Sequence, residues 1–107
     1  MNDQNVLNRL KDTAMMFVPQ DGSVLLYGSR ARGEAHDDSD WDILILLNKD
    51  RIQKEDYDNV VYPFYQLGWE VNAMISPIIY TKTEWQQNSF MPFYKNVERD
   101  KITLYGA

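Results

Sequence analysis

The stretch VLLYGSRARGEAHDDSDWDILILL, Val24 to Leu47, most constrains what this chain can fold into. The apolar run Val24 to Tyr27 is short and stops at Gly28. This predicts a buried strand followed by a sharp turn, because glycine takes positive φ and lets other atoms approach the backbone closely. Ser29 is placed to cap a short helix begun by Arg30-Ala31-Arg32, and a helix N-terminus with free N–H groups attracts phosphate. In Asp40-Trp41-Asp42 followed by Ile43 to Leu47, the aliphatic run predicts a second strand buried on both faces. Side chains alternate along a strand, so Asp40 and Asp42 share one face, with Cα atoms roughly 6.6 Å apart at about 3.3 Å rise per residue. Their carboxylates can then converge on one or two cations spaced about 3.5–4 Å. Trp41 points the other way and is expected in the core.

Other readings of this stretch are weaker. Asp37 and Asp38 fit a solvated loop, whereas an unpaired carboxylate at Asp40 or Asp42 is costly to bury beside an apolar strand without a cation. A calcium loop starting at Asp38 would put Ile43 where glycine is required and Lys49 where the bidentate Glu belongs. Gly28 and Gly33 have the spacing of a phosphate-binding P-loop, but Glu34-Ala35 replaces its Lys-Ser/Thr pair. His36, the only histidine, reads as a surface residue of a polar loop. Arg30 and Arg32 either meet nucleotide phosphate or pair with neighbouring carboxylates.

GSRARGEAHDDSDWDILI resembles the signature of the minimal nucleotidyltransferases of the DNA polymerase β superfamily: a Gly-Ser turn, about ten residues, then Asp-x-Asp leading into an apolar strand. The resemblance implies an α/β (α+β) fold, a small mixed sheet flanked by helices like a polymerase β palm. It also implies transfer of a nucleoside monophosphate, most often AMP from ATP, to a hydroxyl with release of pyrophosphate. Gly28 and Ser29, with Arg30 and Arg32, would bind the nucleotide, and Asp40 and Asp42 would hold Mg²⁺ (or Mn²⁺). In bacteria such domains commonly accompany a helical HEPN partner as antitoxin and toxin, so the resemblance also implies a nucleotide-binding or partner-binding module without turnover as the alternative.

The 107 residues are 44% hydrophobic, enough for one domain over 1–107 with a single core. A net charge of −5 argues against a standing nucleic-acid grip, which needs clustered Lys and Arg. Cysteine is absent, which excludes disulfides and thiolate metal sites. No apolar run reaches about 18 residues and the N-terminus lacks a basic start with an apolar core, so a soluble cytoplasmic protein is expected.

Along the chain, residues 3 to 17 have helical apolar spacing at Val6, Leu7, Leu10, Ala14 and Phe17, with Asn2 or Asp3 as cap, Pro19 as stop, and Met15 and Met16 as packing bulk. Residues 51 to 67 form an amphipathic crossover helix that Pro63 should kink or restart, with the Tyr62 to Tyr65 cluster in the core. Trp69 to Ser76 reads as the third strand. Thr81 or Thr83 caps a helix through Trp85, and Pro92 starts another to about Asp100. Phe90, Phe93, Tyr94, Val97, Ile102 and Leu104 complete the expected core. The resemblance implies a third carboxylate on the third strand. No Asp lies between Asp58 and Asp100, so Glu70 is the acidic candidate there, with Asn72, Ser76 or an apolar residue as the alternatives. So small a domain cannot enclose two substrates, and the acceptor is expected on a partner or across a homodimer.

Overall fold

The computed structural model describes residues 2–106, and its centre is the antiparallel pair β1 (Ser23–Tyr27) and β2 (Trp41–Leu47). Strand β3 (Ile75–Thr81) lies parallel to β2, and β4 (Ile102–Tyr105) lies antiparallel to β1, giving one mixed sheet in the order β3-β2-β1-β4. As the aliphatic run implied, β2 is central and buried on both faces. Trp41, Ile43, Ile45 and Leu47 enter one core, and Leu44 and Leu46 enter the other.

Helix α1 (Asp3–Phe17) covers the first face. The Asn2 side chain accepts the Asn5 N–H at 2.8 Å, and Val6, Leu10 and Ala14 are buried along one stripe. Met15 and Met16 do not pack on the sheet, being 69% and 73% exposed. Each residue turns about 100° around a helix, so with Ala14 facing inward the next two are carried outward.

The crossover runs without a break through α3 (Lys54–Asp56), a π-helical turn (Tyr57–Val61) and α4 (Tyr62–Val71). Pro63 stands where the α-helix restarts after the π-helical turn. The Tyr62 N–H reaches back five residues to the Tyr57 carbonyl, and proline, which has no N–H to offer, enters in the first turn of α4 where it is tolerated. Of the aromatic cluster only Phe64 is in the core, while Tyr62 and Tyr65 are exposed on the outer side.

The expected strand from Trp69 to Ser76 is corrected here. Trp69, Glu70 and Val71 are the last turn of α4, and Asn72 ends the helix in the left-handed region (φ 53°). Gly68 does not stop the helix. It makes room for the chain to fold back, since a Cβ there would lie 2.7 Å from the Ala73 carbonyl oxygen, and the Ala73 N–H bonds the Gly68 carbonyl at 2.9 Å. The strand therefore begins six residues later than its apolar pattern suggested.

The second face is closed by α5 (Lys82–Gln87) and α6 (Pro92–Asp100). Thr81 is the cap: its hydroxyl accepts the Glu84 N–H at 3.0 Å while the Glu84 carboxylate accepts the Thr81 N–H at 2.9 Å. Trp85 packs edge-on to Phe93, and its indole N–H donates to Glu98 at 3.0 Å, so the one polar atom of a buried tryptophan is satisfied. Val97 and Leu104 are buried as expected. Phe90, 74% exposed, lies in the link before the inward face of α6 begins, and Ile102, on the edge strand, is also exposed. No helix among the described residues is long and apolar enough to cross a membrane.

Candidate functional site

The antiparallel register sets Tyr27, the last residue of β1, opposite Asp42, and the parallel register sets Ser76 opposite Asp42 from the other side. Three strands thus deliver side chains to one end of the sheet. The turn after Tyr27 closes over them. Gly28 has φ 75° and ψ −160°, and a Cβ built on it would fall onto Asp42 Oδ2 and lie 3.3 Å from Asp42 Cγ. Only a residue without a side chain allows that approach.

Gly28, not Ser29, caps the next helix, α2 (Ser29–Arg32). The Gly28 carbonyl accepts the N–H groups of Ala31 and Arg32, both at 3.1 Å, and Ser29 is the first helical residue with its hydroxyl making no cap. The helix is a single turn ended by Gly33, so whatever anion affinity it has comes from the turn amides and the Ser29 hydroxyl rather than from a long dipole.

Asp40 is exposed and Asp42 half-buried. Burial holds the Asp42 carboxyl above its ordinary range, the charge of Asp40 adds to this, and the Arg32 guanidinium works against both. The Ser76 hydroxyl donates to Asp40 Oδ2 at 3.1 Å. Burial, then the Asp42 charge and Tyr80, push the Tyr27 phenol up to about 12, so it is a neutral hydroxyl at physiological pH.

Glu70 does not join this group. It sits on α4 and pairs with Arg9 of α1, because the segment is helix rather than strand. The strand position beside the aspartates belongs to Ser76, and among the described residues no trio of His, Cys, Asp or Glu side chains converges. The arginines divide. Arg30 is turned away into protein contacts, the pairing alternative of the two. Arg32 bonds Asp100 of α6 at 3.0 Å and Glu34 at 3.4 Å while its field reaches Asp42. Asp100 also meets Arg99, and these two guanidiniums hold its carboxyl down at about 2. His36 is exposed, as its polar loop implied. The Arg32–Asp100 pair spans 68 residues of sequence, and no local pattern announces it. Tyr27 was visible beside Gly28-Ser29 but read only as strand.

The donor set suits a divalent cation. Two hard oxygen donors are held together, Asp42 against its own electrostatic preference, in a cradle that a Cβ would fill.

A mixed sheet that brings Asp42 of an Asp-x-Asp pair against a Gly-Ser turn is the arrangement that the resemblance to nucleotidyltransferases implies. The chain belongs to the nucleotidyltransferase domain family, which it matches over residues 7–104. It is 36% identical over 74 residues to a protein of Methanocaldococcus jannaschii described as a protein adenylyltransferase, an alignment covering 68% of this chain and 73% of that protein. Its fold resembles that of a toxin–antitoxin complex solved with AMP-PNP (TM-score 0.67, 18% identity, 94% of this chain and 73% of that one). It also resembles a Shewanella oneidensis complex of a tri-AMPylated HEPN toxin with its MNT antitoxin (TM-score 0.60, 14% identity, 97% and 72%).

Proposed function

We propose that this chain transfers AMP from ATP to a hydroxyl on a protein partner, and that the partner is a HEPN-type toxin or a second copy of this chain. The observation that carries the reading is the Asp42 carboxylate packed against the Gly28 backbone with Asp40 close enough to raise its pKa further, so that Asp42 is unfavourably charged in isolation. Such a pair is poorly suited to stability and well suited to a cation. Asp40 and Asp42 hold Mg²⁺ or Mn²⁺, and the Gly28-Ser29 amides with the Ser29 hydroxyl receive triphosphate oxygens. Arg32, exposed and near Asp42, supplies the positive charge on that side. Held by Asp40 and Asp42, a divalent cation would offset the charge of carboxylates and triphosphate together. In the transfer itself a bond forms between the acceptor oxygen and the α-phosphorus as the bond to pyrophosphate breaks, the hydroxyl proton leaves to solvent, and the protein's part is positioning and charge. ATP and Mg²⁺ abound in the cytoplasm, the setting that fits this chemistry.

The second reading, a nucleotide-binding module without turnover, is favoured by one observation: Ser76, not a carboxylate, stands beside the aspartates. Labelled ATP and Mg²⁺ incubated with the chain and a HEPN protein separate the two. Label on the partner, lost in Asp42→Asn, supports transfer. Calorimetric ATP binding without label transfer supports the module, and no Mg²⁺-dependent binding sinks both.

A further inference from the structure

Arg30 is enclosed at 6% exposure, and apart from Asp3 its partners lie in the segment around Asp40. Its Nε and Nη2 donate to the Ser39 carbonyl at 3.3 and 2.9 Å, and Nη2 also donates to the Asp37 carbonyl at 3.3 Å. The guanidinium lies over the Trp41 ring, 4.5 Å from its centroid, and Nη1 donates to Asp3 of α1 at 3.0 Å. One planar fork therefore grips the residue before Asp40 through its carbonyl and the residue after it through its ring. Lysine, a single point charge on a flexible stem, cannot do both.

The rest of the loop is thinly held. His36 and Ser39 make a small turn, with the His36 N–H on Ser39 Oγ at 2.8 Å and the Ser39 N–H on the His36 carbonyl at 3.0 Å, while Glu34, His36, Asp37 and Asp38 are exposed. The Trp41 N–H bonds the Met74 carbonyl at 2.8 Å, so the sheet fixes the chain only from Trp41 onward. Asp40 falls between the exposed acidic loop and the strand, and Arg30 bridges that gap.

We infer that Arg30 is a positioning residue: it fixes the backbone on both sides of Asp40 and so aims that carboxylate at the cation shared with Asp42. The inference rests on the metal reading of the site but is tested in part without it. Hydrogen-exchange mass spectrometry on Arg30→Lys should show faster exchange of the amides of residues 36–40, with β1 and β2 unchanged. Mn²⁺ titration followed by electron paramagnetic resonance should show affinity lower by about tenfold, the usual size of an outer-shell effect. Asp3→Asn, which removes only the solvent-side contact, should stay within about twofold of wild type, as an exposed pair allows. Wild-type loop exchange in Arg30→Lys overturns the inference, as does acceleration spread evenly through the sheet, which marks a merely structural role. Wild-type Mn²⁺ affinity in Asp40→Asn overturns the metal reading instead, while the loop exchange of Arg30→Lys still decides the clamp.

Discussion

Replacing Gly28 by alanine separates what the turn does for the fold from what it does for Asp42. Two penalties combine. A residue other than glycine at φ 75°, ψ −160° occupies a region that only glycine takes readily, at about 1–3 kcal/mol. The new Cβ would also land on Asp42 Oδ2, and displacing a packed side chain costs about 1–3 kcal/mol more. Alanine lowers the entropy of the unfolded chain and returns about 0.4–1 kcal/mol. The net is about 1–5 kcal/mol, which at about 4–8 °C per kcal/mol for a domain near this size lowers the melting temperature by about 4–40 °C. Gly33→Ala is the control. Gly33 is also left-handed, φ 73°, but nothing lies within 4 Å of its missing Cβ, so only the backbone penalty of about 1 kcal/mol remains. The assay is thermal unfolding without metal, completed by the double variant Gly28→Ala/Asp42→Ala. The truncated side chain removes the clash but not the strain, so the double variant should recover about 1–3 kcal/mol relative to additivity. Equal losses for the two glycines, or strict additivity with Asp42→Ala, would refute the claim that the turn is built around that carboxylate.

Asp42→Asn should raise the melting temperature of the metal-free protein at pH 7. A carboxyl whose pKa is raised on folding favours the fold below its ordinary range and loses that contribution as pH rises through the folded value, so the gain should vanish below about pH 3.8. Mn²⁺ should stabilise wild type and not this variant, which differential scanning fluorimetry reads directly. Asp100 has the opposite sign: with its carboxyl held at about 2, its pairing stabilises above the ordinary carboxylate range and is lost as pH falls from about 3.8 to about 2. Asp100→Asn should therefore flatten that part of the acid unfolding curve. Glu70→Gln should leave Mn²⁺ binding and any AMP transfer unchanged, with at most about 1 kcal/mol of stability lost from its exposed pair with Arg9. A large fall in transfer on that substitution would contradict the placement of Glu70 on α4.

Legibility followed the range of the interactions. Strand β2, with its residues alternating between the two cores and Asp42 near its start, was readable because period-two alternation and aliphatic composition are properties of consecutive residues. The Thr81 cap and the Pro92 start were readable because a cap is chemistry within one turn. The end of α4 was not. Trp69, Val71, Met74 and Ile75 have strand-like composition, and Gly68 looks like a stop, yet Gly68 is needed inside the helix so that Ala73 can fold against it. That preference is set by packing three and more residues away, and it moved Glu70 from a strand facing the aspartates to a helix facing Arg9. The roles of Arg30 and Arg32 were equally closed to sequence. They stand two apart in a one-turn helix, and only the partners, Asp3, Ser39 and Trp41 for one and Asp100 for the other, tell them apart.

The same partners explain why a short acidic chain tolerates its own centre. Asp40 and Asp42 repel each other, and the fold does not neutralise them with a buried cation of its own. Arg30, an enclosed guanidinium, is spent on carbonyls, a ring and Asp3, while Arg32 shares its charge with Asp100 and Glu34 at the rim. A fold selected for stability alone would gain by turning Arg30 onto the carboxylates, where a charge-assisted fork is strongest. On the proposed reading its aim at the backbone leaves the carboxylates free for a cation and nucleotide, and the unfavourable charge of Asp42 would become part of the free energy that binding releases.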